Sequence, residues 1–475
     1  MNNKEKALIN VSKKTFIQVT VLLLILMIGA IILTYVVPRG QFGVFDDGTV
    51  NYLDYKELDG KPGISIVKGI FAPFLVFASG DGITLIMLCL FLLVISGAFQ
   101  VMNDAGGVNA LIGYVSDKFK SRKYLLITAL AFVFMCFGAF LGLFEEMLTM
   151  LPIVTALCVM IGFDSFTGFL ISIIACGFGF ASSVTNPFTV ILASQIIKTN
   201  PMENIWFRLV IFAVMFLLLL GFIFLYIRKI KKDPQSSLTY AHDLKLKESA
   251  ENSESENKTA NTKKVRLVYT VFLLVSLVLI IVASSVSGLR GYTVVILLAY
   301  FLIFGIIAGI ICTQKKKEVF KSFLKGLLGA LPTLVFIALA SSVKYIFDEG
   351  SIMPTIIHKI NEFSAGKNVF VVALVIYAVV LVLEFFISSS TAKAVLVMGI
   401  LSVASVGLTK NMSVLLYTFA DGYTNVLFPT SPVLLISLSM IELDYFKWVK
   451  KSRPLFLINL GLVILFIILG IVIGY

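Results

Sequence analysis

Histidine is almost missing from this 475-residue chain, which has only His242 and His358. Its five cysteines (Cys89, Cys136, Cys158, Cys176 and Cys312) stand singly, and none forms a CxxC or a Cys/His cluster. These shortages argue against a zinc or haem site, and the thiols read as buried, reduced and structural. No HExxH, nucleophile–base pair or Walker phosphate loop is present, so neither an enzyme nor an ATPase partner is implied. Charge is scarce as well: 14% of residues are charged, against roughly 25% in a soluble chain. The alternation that a membrane barrel needs is absent.

What fills the chain instead is apolar sequence, 59% of residues, with a mean hydropathy of +0.99. The clearest runs cover 15–37, 81–102, 204–227, 265–285, 291–312 and 454–475; a spanning helix needs roughly 20 residues. The first run lacks a cleavage site and is too long for a signal core, so it reads as an uncleaved helix. The expectation is an all-α integral membrane protein whose partners are the lipid bilayer and a small-molecule substrate. The net charge of +12 does not point to nucleic acid, because no basic stripe with interleaved aromatics appears and the lysines gather in particular loops.

Those loops set a topology. The N-terminus, 116–123, 228–266, 314–325 and 447–453 are rich in Lys and Arg, which places them in the cytoplasm. The stretch 38–64 is poorer and carries Asp46, Asp47, Asp54, Glu57 and Asp59. The chain then threads as a first repeat (1–227: helix 15–37, hairpin 124–161, broken helix 165–197), a flexible cytoplasmic linker without a site (228–264), and a second repeat (265–475: hairpin 368–407, broken helix 411–441). An extra crossing at 291–312 flips the second repeat, giving inverted topology with the N-terminus cytoplasmic and the C-terminus outside. Segments 65–79 and 316–324 read as amphipathic and interfacial.

The strongest signal is a pair of polar motifs that occurs twice. GLFEEMLTMLPI (142–153) and ASSVTNPFTVILAS (181–194) are followed by FFISSSTAKAVLVM (385–398) and DGYTNVLFPTSPVLLIS (421–437). A shift of 242 carries Phe144 onto Phe386, Glu146 onto Ser388, Thr149 onto Thr391 and Pro187 onto Pro429. A shift of 244 aligns Asp104 with Asp348. Polar, proline-broken backbone inside apolar sequence survives at membrane depth only where protein or a watery cavity satisfies it. Two such sites in matching halves point to a secondary transporter.

Each motif has a plain reading beside the functional one. Glu145 and Glu146 either bind an ammonium, a guanidinium, Na⁺ or a proton, or they lie solvated at the cytoplasmic interface. Ser182, Ser183, Thr185, Asn186, Pro187 and Thr189 either free carbonyls and N–H groups for ions or make a simple proline kink. Ser388, Ser389, Ser390, Thr391 and Lys393 either cradle a carboxylate or cap a helix. Asp421 either neutralises a cation, carries a proton or pairs with Lys393, while Thr424, Asn425, Pro429, Thr430 and Ser431 form the second break. Glu384, Lys344 and Arg208 are weaker candidates, adequately explained by helix ends and ion pairs. A cationic or zwitterionic amino acid suits this mixture better than a dicarboxylate, which the acidic residues would repel unless they held cations or protons. A passive channel would also accommodate broken helices.

The four motifs in their order resemble the YfcC family, placed with the C4-dicarboxylate anaerobic carriers (DcuC-like) in the ion-transporter superfamily. The resemblance covers nearly the whole chain. It implies two inverted repeats with re-entrant hairpins and broken helices, an elevator mechanism, and a site on 145–149, 182–189, 388–393 and 424–431. It also implies exchange of basic amino acids of the arginine/ornithine type across the bacterial inner membrane. Na⁺- or H⁺-coupled carboxylate uptake is the alternative. No cofactor beyond a coupling Na⁺ or H⁺ is implied, and analogy suggests a homodimer. Ala392 stands where Gly is expected and Thr149 where Pro is expected, departures that touch substrate choice more than fold.

Overall fold

A computed structural model describes residues 13–44, 50–60, 63–80, 82–119, 121–256, 262–286, 288–289, 292–364, 366–386, 394, 397–398, 401 and 407–475. Among the described residues, eight helices are long and apolar enough to cross a bilayer. Each of the six clearest runs overlaps one of them and overruns its ends by no more than three residues, because 20-odd apolar residues satisfy their backbone groups only internally. Two further spans of this kind are Lys123–Leu141 and Lys316–Gly350.

The chain begins with α1 (Lys13–Val36), which ends just before Pro38. An antiparallel hairpin follows, β1 (Gly40–Val44) and β2 (Val50–Glu57), with its register broken between Phe42 and Gly43. This two-stranded hairpin is a small addition to an otherwise helical chain, as the all-α expectation has it. Tyr55 ties the hairpin down: its ring stacks on His358 at 4.1 Å between centroids, and its hydroxyl lies 2.9 Å from Thr355 Oγ1. The rest of the first half runs α2 (Ile66–Leu75), α3 (Gly82–Asp104), α4 (Gly107–Phe119), α5 (Lys123–Cys136), α6 (Leu151–Met160), α7 (Ser165–Phe169), α8 (Ala175–Ala181), α9 (Leu192–Ile196) and α10 (Ile205–Lys232). The remainder is α11 (Tyr240–Glu256), α12 (Thr262–Ser285), α13 (Thr293–Thr313), α14 (Lys316–Gly350), α15 (Met353–Ser364), α16 (Val369–Phe386), α17 (Lys410–Asn425), α18 (Pro432–Met440) and α19 (Tyr445–Val472).

Two expectations change. Residues 316–324 do not form a separate interfacial segment; they are the first turns of α14, a single 35-residue helix that continues through Pro332. This helix packs against α3 at a close crossing. Ser96 Oγ donates to the Gly326 carbonyl at 2.7 Å, and a Cβ at Gly326 would fall 2.3 Å from the Ser96 carbonyl oxygen. Only glycine permits that approach.

The linker is also more than a tether. Residues 240–256 are helical, and 237–245 dock onto the start of α7 and the loop after α18. Asp164 caps α7, accepting from the Thr167 N–H at 2.8 Å. Asp243 accepts from the Ser165 N–H at 3.1 Å, and Thr239 Oγ1 accepts from the Phe166 N–H at 3.3 Å. The orphan donors of a helix start need such partners, and here a remote segment supplies them. Burial pushes the Asp243 carboxyl up from its ordinary value, against the hydrogen bonds from Ser165 and Thr239.

Contacts also sort the loops to two ends of the bundle. Lys245 reaches Glu442 and Ser237 reaches Asp164 at one end. Gly40 N–H donates to Ser351 and Thr409 Oγ1 to the carbonyl of Tyr475 at the other.

Candidate functional site

The chain doubles back over 123–161: Lys123 Nζ donates to the Ile161 carbonyl at 2.9 Å, so both ends of the segment lie together. The far point is Gly142, whose φ of 69° suits glycine. A Cβ there would meet Asn186 Oδ1 at 2.4 Å. A wide turn at Phe137–Leu141 leads into it, and a tight turn at Glu145–Thr149 leads on to α6. Glu145 and Glu146 therefore sit side by side just past the reversal. Glu145 is exposed, and among the described residues no hydrogen bond or ion pair reaches its carboxylate, whereas Glu146 is buried. Thr149 is wholly buried, and its hydroxyl makes no hydrogen bond among the described residues.

The first break, 182–186, is held by the same reversal. Asn186 caps the turn that opens with Pro187, accepting from the Phe188 N–H at 2.9 Å, and its Nδ2 donates to the Gly138 carbonyl at 3.2 Å. The Val184 and Thr185 N–H groups donate to the Ala139 carbonyl, and Thr185 Oγ1 donates to the Phe140 carbonyl at 3.3 Å. Ser182 and Ser183 turn back onto Phe178 and Phe180, and Thr189 donates to Ser183 Oγ at 3.2 Å. Most of these polar groups thus satisfy the broken backbone and the neighbouring hairpin.

In the second break the roles are offset. Its second half-helix, α18, starts at Pro432 with Ser431 as its cap, so Pro432 and not Pro429 takes the helix-opening place that Pro187 has in the first copy. Pro429 lies within the break. Thr424 Oγ1 donates to the Ala420 and Asp421 carbonyls at 3.0 Å and lies 3.5 Å from Glu384 Oε2. Asp421 is fully buried.

A cavity of about 740 Å³ joins these parts. Glu145, Glu146, Glu384, Thr424, Asn425, Thr430 and Ser431 line it, and α14 supplies Ser341, Lys344, Tyr345, Asp348 and Glu349. Phe144, Phe180, Phe188 and Phe428 add aromatic faces. Among the described residues, five carboxylates line it against one ammonium. Lys344 Nζ lies 3.9 Å from Asp348 Oδ2, and Glu349 pairs with Lys68 from outside the lining at 2.8 Å.

Of the residues singled out in the sequence, Glu145, Glu146, Thr424, Asn425, Thr430 and Ser431 line this cavity, and Thr149, Ser182, Ser183, Thr185, Asn186, Pro187, Thr189, Asp421 and Pro429 do not. Ser388, Ser389, Ser390, Thr391 and Lys393 lie outside the described residues. Two residues set aside as weak, Glu384 and Lys344, line it as well. Their signal was visible, since an ionisable residue within an apolar segment is a functional candidate by default. Arg208 stays away from it: its guanidinium is buried and donates to the Pro201 carbonyl.

Apolar spans around a cavity lined by carboxylates describe a multi-pass membrane transporter. The chain matches the model of the C4-dicarboxylate anaerobic carrier family, DcuC, over residues 16–472, and it belongs to that family. It is a transporter and not an enzyme. It is 27% identical over 389 residues to "Putative basic amino acid antiporter YfcC" of Escherichia coli (strain K12), covering 78% of this chain and 75% of that one. An uncharacterised protein of Haemophilus influenzae is 26% identical over 368 residues, covering 77% and 71%. Among solved structures, the YdaH transporter of Alcanivorax borkumensis is similar with a TM-score of 0.44 at 15% identity, over 96% of this chain and 99% of that one. MtrF of Neisseria gonorrhoeae is similar with a TM-score of 0.42 at 16% identity, over 95% and 94%.

Proposed function

We propose that this protein is a secondary active transporter that exchanges basic amino acids of the arginine/ornithine type. The observation that carries the reading is the cavity lining, with five carboxylates against one ammonium among the described residues. A guanidinium or side-chain ammonium would sit between Glu145, Glu146 and Glu384, with the phenylalanine rings offering cation–π faces. Paired carboxylates in a partly dry site bind a cation or give up a charge, so Na⁺ or H⁺ coupling belongs to the same reading. The name of the Escherichia coli relative agrees with it.

On this reading the segments 124–161 and 368–407 are re-entrant hairpins. Their ends meet: Lys123 reaches Ile161, and a Cβ at Gly407 would lie 3.7 Å from Val369 Cγ2. Together with the two broken helices they would move as a unit against α3 and α14, in two inverted repeats. The lysine-rich loops put Lys13, Lys316 and Lys447 on the cytoplasmic side, with the C-terminus outside. The cavity, which reaches Asp348 and Glu349 near the far end of α14, would then be open outward. A homodimer through the flanking helices is part of the proposal by analogy only.

The family's description favours a second reading, Na⁺- or H⁺-coupled uptake of a C4-dicarboxylate, in which the glutamates hold the coupling cations. Counterflow in proteoliposomes separates the two. Labelled arginine should enter faster when ornithine is preloaded; Na⁺-driven succinate entry without amino acid exchange would replace the first reading with the second. Ohmic, non-saturating flux would make the protein a channel.

A further inference from the structure

Away from the cavity, a second recess of about 410 Å³ lies where the start of α5 meets the end of α10. Tyr124, Phe224 and Ile227 give it an apolar surface, and Arg228 and Lys231 are the charged residues lining it among the described residues. The Tyr124 and Phe224 rings meet edge-on, 6.2 Å between centroids. Phe224 and Arg228 stand four residues apart, as do Ile227 and Lys231, so each pair shares a helix face. Each cation thus sits one turn beyond an apolar side chain. Deeper on the face of Phe224, a Cβ at Gly221 would meet nothing within 4 Å, and Leu217, one turn further, is 67% exposed. An apolar lane open to lipid therefore leads away from the two cations.

Arg228 and Lys231 are exposed, and among the described residues neither makes a side-chain hydrogen bond, an ion pair or a ring contact. Neighbouring cations are engaged: Lys123 Nζ donates to the Ile161 carbonyl at 2.9 Å, and Lys451 lies 5.0 Å from the centre of the Tyr226 ring. Asp233, just beyond in sequence, accepts from the Gln235 N–H at 3.1 Å. The helix itself sets the depth of the pair. Trp206 and Arg228 stand 22 residues apart on α10, about 33 Å along a helix axis and close to the roughly 30 Å of bilayer hydrocarbon. Trp206 is exposed and suits one interface, where such rings collect. Arg228 and Lys231 then fall at the other, level with the headgroups. Cations at a helix end ordinarily do no more than set topology; the apolar recess directly beneath these two sets them apart.

We propose that this recess binds an anionic phospholipid, with the headgroup phosphate between Arg228 and Lys231 and an acyl chain running past Phe224 and Gly221. Charge decides the occupant. Apolar surface alone suits any lipid, whereas two unpartnered cations beside it favour a phosphodiester whose headgroup carries no compensating amine. Basic recesses between spanning helices bind anionic headgroups for this reason. The lipid fills the gap between the first arm of segment 124–161 and α10. The inference does not depend on which solute the protein carries.

The test mixes the purified protein in detergent with phosphatidylglycerol or with phosphatidylcholine of the same chains, and counts bound lipid by native mass spectrometry. Wild type should retain phosphatidylglycerol in preference to phosphatidylcholine. Arg228→Gln and Lys231→Gln should each weaken that retention by about fivefold, and the two together by about 25-fold. Lys316→Gln with Lys317→Gln removes the same charge from exposed residues at the start of α14 and should leave retention within about twofold, because distant surface charge is screened. Gly221→Leu obstructs the apolar lane at unchanged charge and should also weaken retention. Size-exclusion elution checks that each variant is folded, and either single variant decides the matter if the double one is not. Equal retention of the two lipids by wild type overturns the proposal. So do equal losses in the α14 control, which would make the attraction a diffuse one. Displacement of the lipid by millimolar glycerol phosphate would make this a site for a soluble phosphate and overturn it too.

Discussion

Carboxylates gather at two places in this molecule, the linker end and the cavity, and their surroundings differ in kind. At the linker end, Asp164 accepts from the Thr167 N–H and hydroxyl, from the Tyr226 hydroxyl and from Ser237. Asp243 beside it accepts from Ser165 and Thr239. Every one of these donors belongs to the protein, so that site is complete as it stands. In the cavity, Glu145 faces open space, with no hydrogen bond or ion pair among the described residues. A buried charge is retained only if something compensates it. Where the protein supplies the compensation the group holds the fold together, and where it does not the partner comes from outside.

The largest effect should come from removing charge where the partner is external. Glu145→Gln and Glu146→Gln should each lower transport by about 100-fold or more, the usual scale for losing one member of a buried charge pair. Melting temperature and elution volume should stay close to wild type. Near-wild-type exchange in either variant would detach that carboxylate from the solute and blur the contrast between the two regions.

Asp164→Asn reverses the pattern. It keeps the shape but replaces an acceptor of four hydrogen bonds with a weaker one, at a residue that is buried. We expect a loss of about 2–4 kcal/mol in stability, read as a lower melting temperature in detergent. Exchange per folded molecule should be unchanged. A transport defect without destabilisation would mean that the linker end takes part in function, and the division drawn above would fail.

Much of this division can be traced back to sequence, though unevenly. The acidic pair at 145–146 stands out because two carboxylates inside an apolar run have few structural explanations. The hydroxyls and amide of 182–189 stand out equally, yet they mostly serve the fold, bonding to Gly138, Ala139 and Phe140. Sequence shows that a broken backbone needs partners but not whether the chain provides them. Glu384 and Lys344 read as helix-end charges because the cavity they line exists only once α16 and α14 are brought together. Asp243 was hidden in a low-complexity linker, where composition says nothing about one residue that caps a distant helix.

Gly142 links the two regimes, since it turns the chain at the acidic tip and touches the first break. Gly142→Ala should cost about 1–2 kcal/mol, from a left-handed φ and from a Cβ placed 2.4 Å from Asn186 Oδ1. Because Asn186 holds both Phe188 and Gly138, transport should fall along with stability. Loss of stability alone would show that the break tolerates adjustment without disturbing the cavity.

The smallest effect concerns the outer edge of the linker end. His242 and then Lys245 hold the Glu442 carboxyl down from 4.5 to about 2. Lys245 has the closer contact, 2.8 Å against 3.9 Å for His242. A carboxylate with a depressed folded pKa adds stability that is fully present above its unfolded value, near 4.5, and is lost as pH falls through about 2. Glu442 is partly exposed, and solvent screening limits the contribution to about 1 kcal/mol or less. Thermal melts from pH 6 downward should therefore show a shallow acid destabilisation that Glu442→Gln removes, with a slightly lower melting temperature at neutral pH. An unaltered acid slope in the variant would show that this edge pair does not hold the linker. Docking would then rest on the buried pair, Asp164 and Asp243, whose donors come from the protein alone.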